Sequence, residues 1–301
     1  MRKSLSLALT LILVAALILP TFADGWYCPN CGRYNDSNFC PKDGTGKPSD
    51  LESNAKGGGP EYAAAENNKK SNLFSDTFFS FGIYADEFSS ITFQSTLNGA
   101  PANAWDVSQE GDGAVQAWVK KEGNLYDLTI GANGKIKAPK DCSGLFAFCE
   151  NVTSIRFNGC LDTSQVENMA GMFKCCYALQ ELDLSSFDTR NVKTMNSMFY
   201  RCEALTKLDV SSFDTSNVTE MGEMFAGCRK LQSLDLRSFD TSSVTYAALM
   251  FICCEELRTI KMDVFDMSSM TYWDALFSGC EKLDASNIRF IRNEFMDHDP
   301  W

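Results

Sequence analysis

An internal repeat of 26 residues constrains this chain more than any other feature of its sequence. Phenylalanine recurs at one phase of the repeat and cysteine at another. The two series are Phe173, Phe199, Phe225, Phe251, Phe277 and Cys176, Cys202, Cys228, Cys254, Cys280. The best copy, LDVSSFDTSNVTEMGEMFAGCRKLQS, runs from Leu208 to Ser233. One copy cannot bury its own apolar side chains, so neighbouring copies must cover them, and we predict stacked units over residues 142–290.

Each copy contains two apolar spacings. Leu234 and Leu236 flank Asp235, and this alternation predicts a short strand with the aspartate facing outwards. The middle of the copy has the spacing of one helix face, i, i+3, i+7 and i+10, shown by Val218, Met221, Phe225 and Cys228. Residues 214–217, which precede it, are of the types that cap helix N-termini. The pattern therefore predicts one strand and one helix per copy.

A fixed period between 20 and 29 residues with an L-x-x-L-x-L core is typical of leucine-rich repeats. Stacked strands lie about 4.8 Å apart and packed helices about 8–10 Å apart, so the helical side of such a stack must be longer. We therefore predict an α/β fold, a curved leucine-rich-repeat solenoid with parallel strands on the concave side and helices on the convex side. A small β-rich cap and a zinc-ribbon-like knob are expected to precede it.

The repeats resemble the BspA-like family of bacterial leucine-rich-repeat surface proteins. The matching text, LDLSSFDT-x-NV-x-x-M-x-x-MF-x-x-C-x-x-L, runs from Leu182 to Leu205 and, with small changes, from Leu234 to Leu257. The likeness covers about residues 142–285, and the last copy departs from it at Met267 and Trp273. The segment NAWDVSQEGDGAVQAWVKK is similar to the region that often precedes such repeats. The resemblance implies an exported protein that acts in adhesion or binds proteins or glycans, without naming a ligand.

The composition of the remaining chain predicts its division. Residues 1–23 have the basic start, apolar run and small-residue cleavage site of a signal peptide, and no second apolar run predicts a membrane span. Residues 24–44 form the predicted knob, and residues 45–72 are a linker rich in glycine, lysine, asparagine and alanine. Residues 73–141 contain alternating runs rich in β-branched and aromatic residues, which predict a β-rich cap. Residues 291–301 form a C-terminal tail.

Residues 26–43, WYCPNCGRYNDSNFCPKD, resemble a short zinc ribbon in which aspartate replaces the fourth cysteine. The predicted ligands of this structural zinc site are Cys28, Cys31, Cys40 and Asp43. A carboxylate binds zinc at about 2.0–2.2 Å, so a Cys3Asp set is chemically allowed. The alternative is a degenerate knuckle, with two of the cysteines joined in a disulfide and the third left free.

The outward residue of each predicted strand forms a candidate binding stripe on the concave face. The stripe contains Arg156, Asp183, Asp209, Asp235, Lys261 and Arg289, with Glu181, Lys207, Arg237 and Asp263 around it. The functional interpretation is a site for a basic partner or a cation. Oxygen ligands suit calcium, although we expect its binding to be weak. The alternative is that these are solvated positions of the repeat consensus.

Several function classes are excluded or disfavoured. The net charge of −12 argues against nucleic acid as a partner and favours a monomer that repels its own copies. The chain has one histidine, His298, and neither a phosphate loop nor a Ser-His-Asp set, so we predict that it is not an enzyme. The phased cysteines are expected to be small buried apolar residues.

We therefore predict a secreted or surface-associated, non-enzymatic protein that binds an extracellular protein or glycan through the concave face of its repeats. The first alternative is a structural spacer of the cell envelope, docked through the N-terminal knob. The second is a carbohydrate-active enzyme that uses a carboxylate pair such as Asp209 and Asp235.

Overall fold

The computed structural model describes residues 26–27, 34–35, 85–108, 111–262, 264–284, 286 and 289–291. The chain divides into two compact units, residues 1–63 and residues 64–301. The described part of the first unit is an antiparallel pair of two short strands, β1 (Trp26–Tyr27) and β2 (Tyr34–Asn35). The predicted signal peptide, the linker, most of the knob and the tail beyond residue 291 lie outside the described residues, as does His298.

The second unit begins with a mixed β-sheet. A 3-10 turn at Ala85–Glu87 leads into β3, and the strands of this region are β3 (Phe88–Gln94), β4 (Trp105–Asp106), β5 (Val115–Glu122) and β6 (Leu125–Ala132). Strand β5 pairs antiparallel with β4 and β6, whereas β3 pairs parallel with β6. Strand β3 also pairs parallel with a strand of the first repeat copy, so one continuous sheet joins this region to the repeats.

The repeat region contains only short strands. They are β7 (Ile136–Lys137), β8 (Ser154–Arg156), β9 (Leu161–Asp162), β10 (Glu181–Leu182), β11 (Ser233–Asp235), β12 (Thr259–Lys261), β13 (Val264–Asp266) and β14 (Arg289–Ile291). All of their pairings are parallel: β7 with β9, β8 with β10 and with β3, β11 with β12, and β13 with β14. Single parallel bridges connect successive copies at Asp141, Asn168, Thr194, Glu220, Tyr246 and Tyr272. Each copy is therefore one coil that lies directly on the next.

The predicted convex helices are absent from the described residues, so the α/β leucine-rich-repeat fold is wrong. The middle of each coil is instead a chain of tight turns, which we call the turn ribbon (residues 169–176 and their equivalents in each coil). The N–H groups of Gly171, Phe173 and Cys175 donate to carbonyls of the next coil at 2.7–2.9 Å. In an α-helix these groups would donate to the fourth residue before them in the same segment.

The N–H groups of the intervening ribbon residues close the turns. Met172 donates to the carbonyl of Met169 at 3.2 Å, and Cys176 donates to that of Phe173 at 3.3 Å. Two positions per ribbon have positive φ, at Gly171 (61°) and Cys175 (59°) in this coil. Consecutive N–H groups thus alternate between the next coil and the same coil, so the ribbon satisfies its backbone donors without a helix.

The core of the repeats contains a column of stacked phenylalanine rings. Cysteine thiols beside the rings donate hydrogen bonds to backbone carbonyls. Phe146, Phe173, Phe199, Phe225, Phe251 and Phe277 stack with centroids 5.3–5.6 Å apart and planes within 9°. Each phased cysteine from Cys176 to Cys280 donates its S–H to the carbonyl of a phenylalanine in the preceding coil at 3.0–3.2 Å. The residues predicted to form the inner face of a helix are therefore buried, but they lie on the turn ribbon and not on a helix.

A buried threonine joins each coil to the next on another side of the coil. The hydroxyls of Thr163, Thr189 and Thr215 each donate to the carbonyl of an aspartate in the next coil at 2.9–3.0 Å. Each hydroxyl also accepts the N–H of that same aspartate at 2.8 Å. Thr241 accepts the N–H of Asp266 in the same way. The last copy has Met267 at the threonine position, and the column ends there.

Candidate functional site

The aspartates of the predicted stripe form a fixed row on the surface, which we call the first row (Asp183, Asp209 and Asp235). Each carboxylate accepts the backbone N–H of the residue two positions later, at 3.0, 2.9 and 3.3 Å. Hydrogen bonds from the side chain and the backbone of Ser185 and Ser211 lower the pKa of Asp183 and Asp209. The neighbouring charges of Asp235 and Asp183 oppose this effect at Asp209, so the three carboxylates lie close enough to interact. The row is ionised at neutral pH and is held in place by its own turns.

The basic residues of the stripe occupy different positions. Arg237 pairs with Asp235 at 2.6 Å, and its side-chain hydrogen bond lowers the pKa of that aspartate to about 2. Lys261 lies in register opposite Asp235 on the neighbouring strand. Arg156 forms an ion pair at 3.5 Å with Glu181 of the neighbouring coil. Lys207 is exposed, whereas Asp263 and the side chain of Arg289 lie outside the described residues.

A second row of aspartates was not singled out as a site by the sequence reasoning. It contains Asp162, Asp188, Asp214, Asp240 and Asp266, one for each coil. Each accepts the backbone N–H of the residue two positions later, at 2.9–3.3 Å. The predicted helix start at residues 214–217 is wrong, because the described residues that follow form turns and not a helix. The repeated text F-D-T was the available signal, since a charged residue at a fixed phase must form a column when coils stack.

Ion pairs also run from coil to coil at the edge of the turn ribbon. Glu167 contacts Lys140 and Lys193 at 2.7 Å each, and these side-chain hydrogen bonds lower the pKa of Glu167 to about 2. All three side chains are solvent-exposed by a third or more, so water and salt screen the attraction. These pairs align neighbouring coils rather than form a site for chemistry.

The predicted zinc ligands Cys28, Cys31, Cys40 and Asp43 lie outside the described residues. In the part of the chain that the structure describes, no group of three or more His, Cys, Asp or Glu side chains is arranged to hold a metal ion. The Cys3Asp zinc site, its disulfide alternative and weak calcium binding therefore stay predictions.

The repeat thiols are chemically protected. The ten cysteines from Cys142 to Cys280 are all buried, and none of them forms a disulfide. Burial raises the pKa of Cys142, Cys149 and Cys228 to about 12, so none of these three is a thiolate at neutral pH. The thiolate is the form that attacks a disulfide or binds a metal, so these side chains are suited to packing and not to catalysis.

We expect an alkylating thiol reagent to leave these ten cysteines unmodified in the native protein and to modify all ten in denaturant. The measurement is the intact mass after a short pulse of reagent, on a variant in which Cys28, Cys31 and Cys40 are serine. Rapid modification of the native variant at several of the ten positions would contradict their burial in the stack.

The described residues of the repeats form a stack of parallel β coils without helices, and rows of charged side chains run along the stack. A family model described as "Mycoplasma protein of unknown function, DUF285" matches residues 140–208 and 183–290, which together cover half of the 301-residue chain. The chain belongs to this family, and the BspA-like resemblance of its repeats is compatible with that membership. Comparison with curated proteins found no match, and comparison with solved structures found none either.

Within the described residues, no helix has the length and apolar character that a bilayer span requires.

Proposed function

We propose that this chain is an exported, non-enzymatic binding protein whose repeats recognise a basic extracellular protein through the first row of aspartates. One observation carries the proposal: Asp183, Asp209 and Asp235 form a row on neighbouring coils with each carboxylate oriented by a backbone N–H. Binding through such a row has a small ordering cost, because its side chains are already oriented.

The charges around the row favour a basic partner. Arg237 partly neutralises Asp235, whereas Asp183 and Asp209 accept hydrogen bonds from their own turns and form no ion pair in the described residues. Lowered pKa values keep these two carboxylates ionised well below neutral pH. The net charge of −12 adds attraction for a basic partner at long range and repels acidic ones.

The arrangement does not favour catalysis. The pKa of every carboxylate in the first row is lowered, at Asp183 and Asp209 by hydrogen bonds from their own turns and at Asp235 by the side chain of Arg237. Acid–base chemistry at a glycosidic bond needs two carboxyl groups whose pKa values are held apart, one protonated and one ionised. The first row provides ionised groups alone, which suit recognition of positive charge.

The test compares a double variant with a matched control on an array of basic, neutral and acidic proteins and glycans. Asp183→Asn with Asp209→Asn removes two charges while the amide oxygens still accept the turn N–H groups. At about 0.2–1 kcal/mol for each exposed charge pair, affinity for a basic partner should fall roughly two- to thirtyfold.

The control is Asp214→Asn with Asp240→Asn, which makes the same chemical change in the second row. It should leave the affinity unchanged. If the full-length chain binds only neutral or acidic molecules, or if both double variants behave alike, the first row is not the binding surface. A chain that binds nothing on the array but is retained on the envelope through residues 24–44 would favour the structural spacer.

A further inference from the structure

Two tyrosines stand at one position of the last two coils. Tyr246 and Tyr272 form a parallel backbone bridge, and the equivalent residues of the earlier coils are polar, namely Asp141, Asn168, Thr194 and Glu220. The two ring centroids are 6.1 Å apart, and the ring planes are inclined by 55°. Tyr272 is 49% exposed, and among the described residues only Phe148 is another large apolar side chain on the surface. The pair is therefore an aromatic surface at one end of an otherwise polar column.

A glycine holds one of the two rings in place. A Cβ atom added to Gly222 would lie 2.0 Å from Cε1 and 2.6 Å from Cδ1 of Tyr246. The Tyr246 ring therefore packs directly against the backbone of the preceding coil, where any larger residue would displace it. This contact restricts the ring, so one aromatic face of the pair is fixed before any ligand arrives.

Two acidic residues are neighbours of the tyrosine pair, one in the column and one along the chain. Glu220 precedes Tyr246 in the column and accepts a hydrogen bond from Nδ2 of Asn196 at 2.8 Å. Asp274 is exposed two residues after Tyr272. In the described part of the chain, neither carboxylate is paired with a lysine or an arginine. Their negative charge is therefore available to a ligand.

We propose that Tyr246 and Tyr272, together with Glu220 and Asp274, bind arginine or lysine side chains of a basic peptide segment. The face of an aromatic ring carries negative potential and attracts a cation placed over it, guanidinium groups in particular. The two carboxylates add negative charge near the tyrosines, and the net charge of the chain disfavours an anionic occupant. The inference rests on the proposed function in that both assign a basic partner, but it uses different residues.

The experiment measures binding of acetylated, amidated hexa-arginine to the full-length chain by calorimetry. Tyr272→Ala should weaken binding about two- to fivefold, because an exposed cation–π contact is lost. Tyr272→Phe keeps the ring face and should bind as the unmodified chain does. Since Tyr272 is exposed, both variants should keep the melting temperature of the parent, which is measured alongside.

Three results would overturn the inference. Tyr272→Ala could bind the peptide with unchanged affinity, or Tyr272→Phe could lose as much affinity as the alanine variant. A neutral oligosaccharide, tested in parallel, could bind in a Tyr272-dependent manner while the peptide does not. The first-row double variant distinguishes the two proposals: loss of peptide binding there alone overturns the tyrosine site, and loss in Tyr272→Ala alone overturns the first row.

Discussion

Replacing Phe225 by alanine should lower the free energy of unfolding by about 3–5 kcal/mol, the usual cost of removing a fully buried phenylalanine ring. Phe225 lies in the middle of the stacked column, 5.6 Å from the ring of Phe199 and 5.5 Å from that of Phe251. Its removal leaves a cavity that borders two coils. Since each coil is stabilised only by its neighbours, both interfaces weaken together. Chemical denaturation of the full-length chain measures the change.

The matched control is Phe148→Ala. Phe148 also belongs to a turn ribbon but is 42% exposed, so its removal should change stability by about 0.5 kcal/mol or less. Equal losses in the two variants would mean that the column of rings is not the core of the stack.

Thr215→Val should lower the free energy of unfolding by roughly 2–4 kcal/mol, although the two side chains have almost the same shape. The Thr215 hydroxyl donates to the carbonyl of Asp240 at 3.0 Å and accepts its N–H at 2.8 Å. Valine leaves both backbone groups without their partner, and each buried polar group left unsatisfied costs about 1–3 kcal/mol. Thermal and urea unfolding of the variant provide the measurement.

Thr241→Val serves as the internal comparison. Its oxygen accepts the N–H of Asp266 at 2.8 Å, and no donation from its hydroxyl to the last coil is present among the described contacts. We therefore expect about half the loss seen at Thr215. A Thr215 variant as stable as the parent would show that the threonine column does not hold the coils together.

The period of the stack could be predicted from the sequence, whereas the backbone conformation within each coil could not. Phe199, Phe225 and their equivalents must be inside any stack of this period, because no single copy can cover them. The same residues were predicted to lie on a helix, because a series of turns closed by i to i+3 bonds places inward side chains three and four residues apart. Met195, Met198 and Phe199 have that spacing in a turn ribbon, so periodicity alone could not separate the two structures.

A signal against the helix was present in the glycines. Gly171, Gly227 and Gly279 recur in the ribbon, and all three have positive φ in the structure. Gly222 lies inside the supposed helix, where glycine costs about 1 kcal/mol relative to alanine. The remaining left-handed positions carry ordinary residues, for example Arg201 and Leu249. Hydrogen bonds between coils impose that conformation, and such tertiary bonds cannot be read from one sequence.

The charged surface was predicted in part. Placing Asp183, Asp209 and Asp235 in one row needed only the period and the alternation of the short strand. The second row was overlooked because residues 214–217 were assigned together to a helix start, a direct consequence of the wrong helix. The tyrosine pair could not be predicted from the repeat, because the equivalent residues of the earlier coils are polar and not aromatic.

The hydrogen-bond partner of the Phe199 amide tests the stacked turn ribbon most directly. In the structure this N–H donates to the carbonyl of Met224 in the next coil at 2.9 Å. In a convex helix it would donate to the carbonyl of Met195, four residues earlier. Nuclear magnetic resonance detects scalar coupling across the bond and thereby names the acceptor. We predict coupling between Phe199 and Met224, and coupling between Phe199 and Met195 would contradict the helix-free stack.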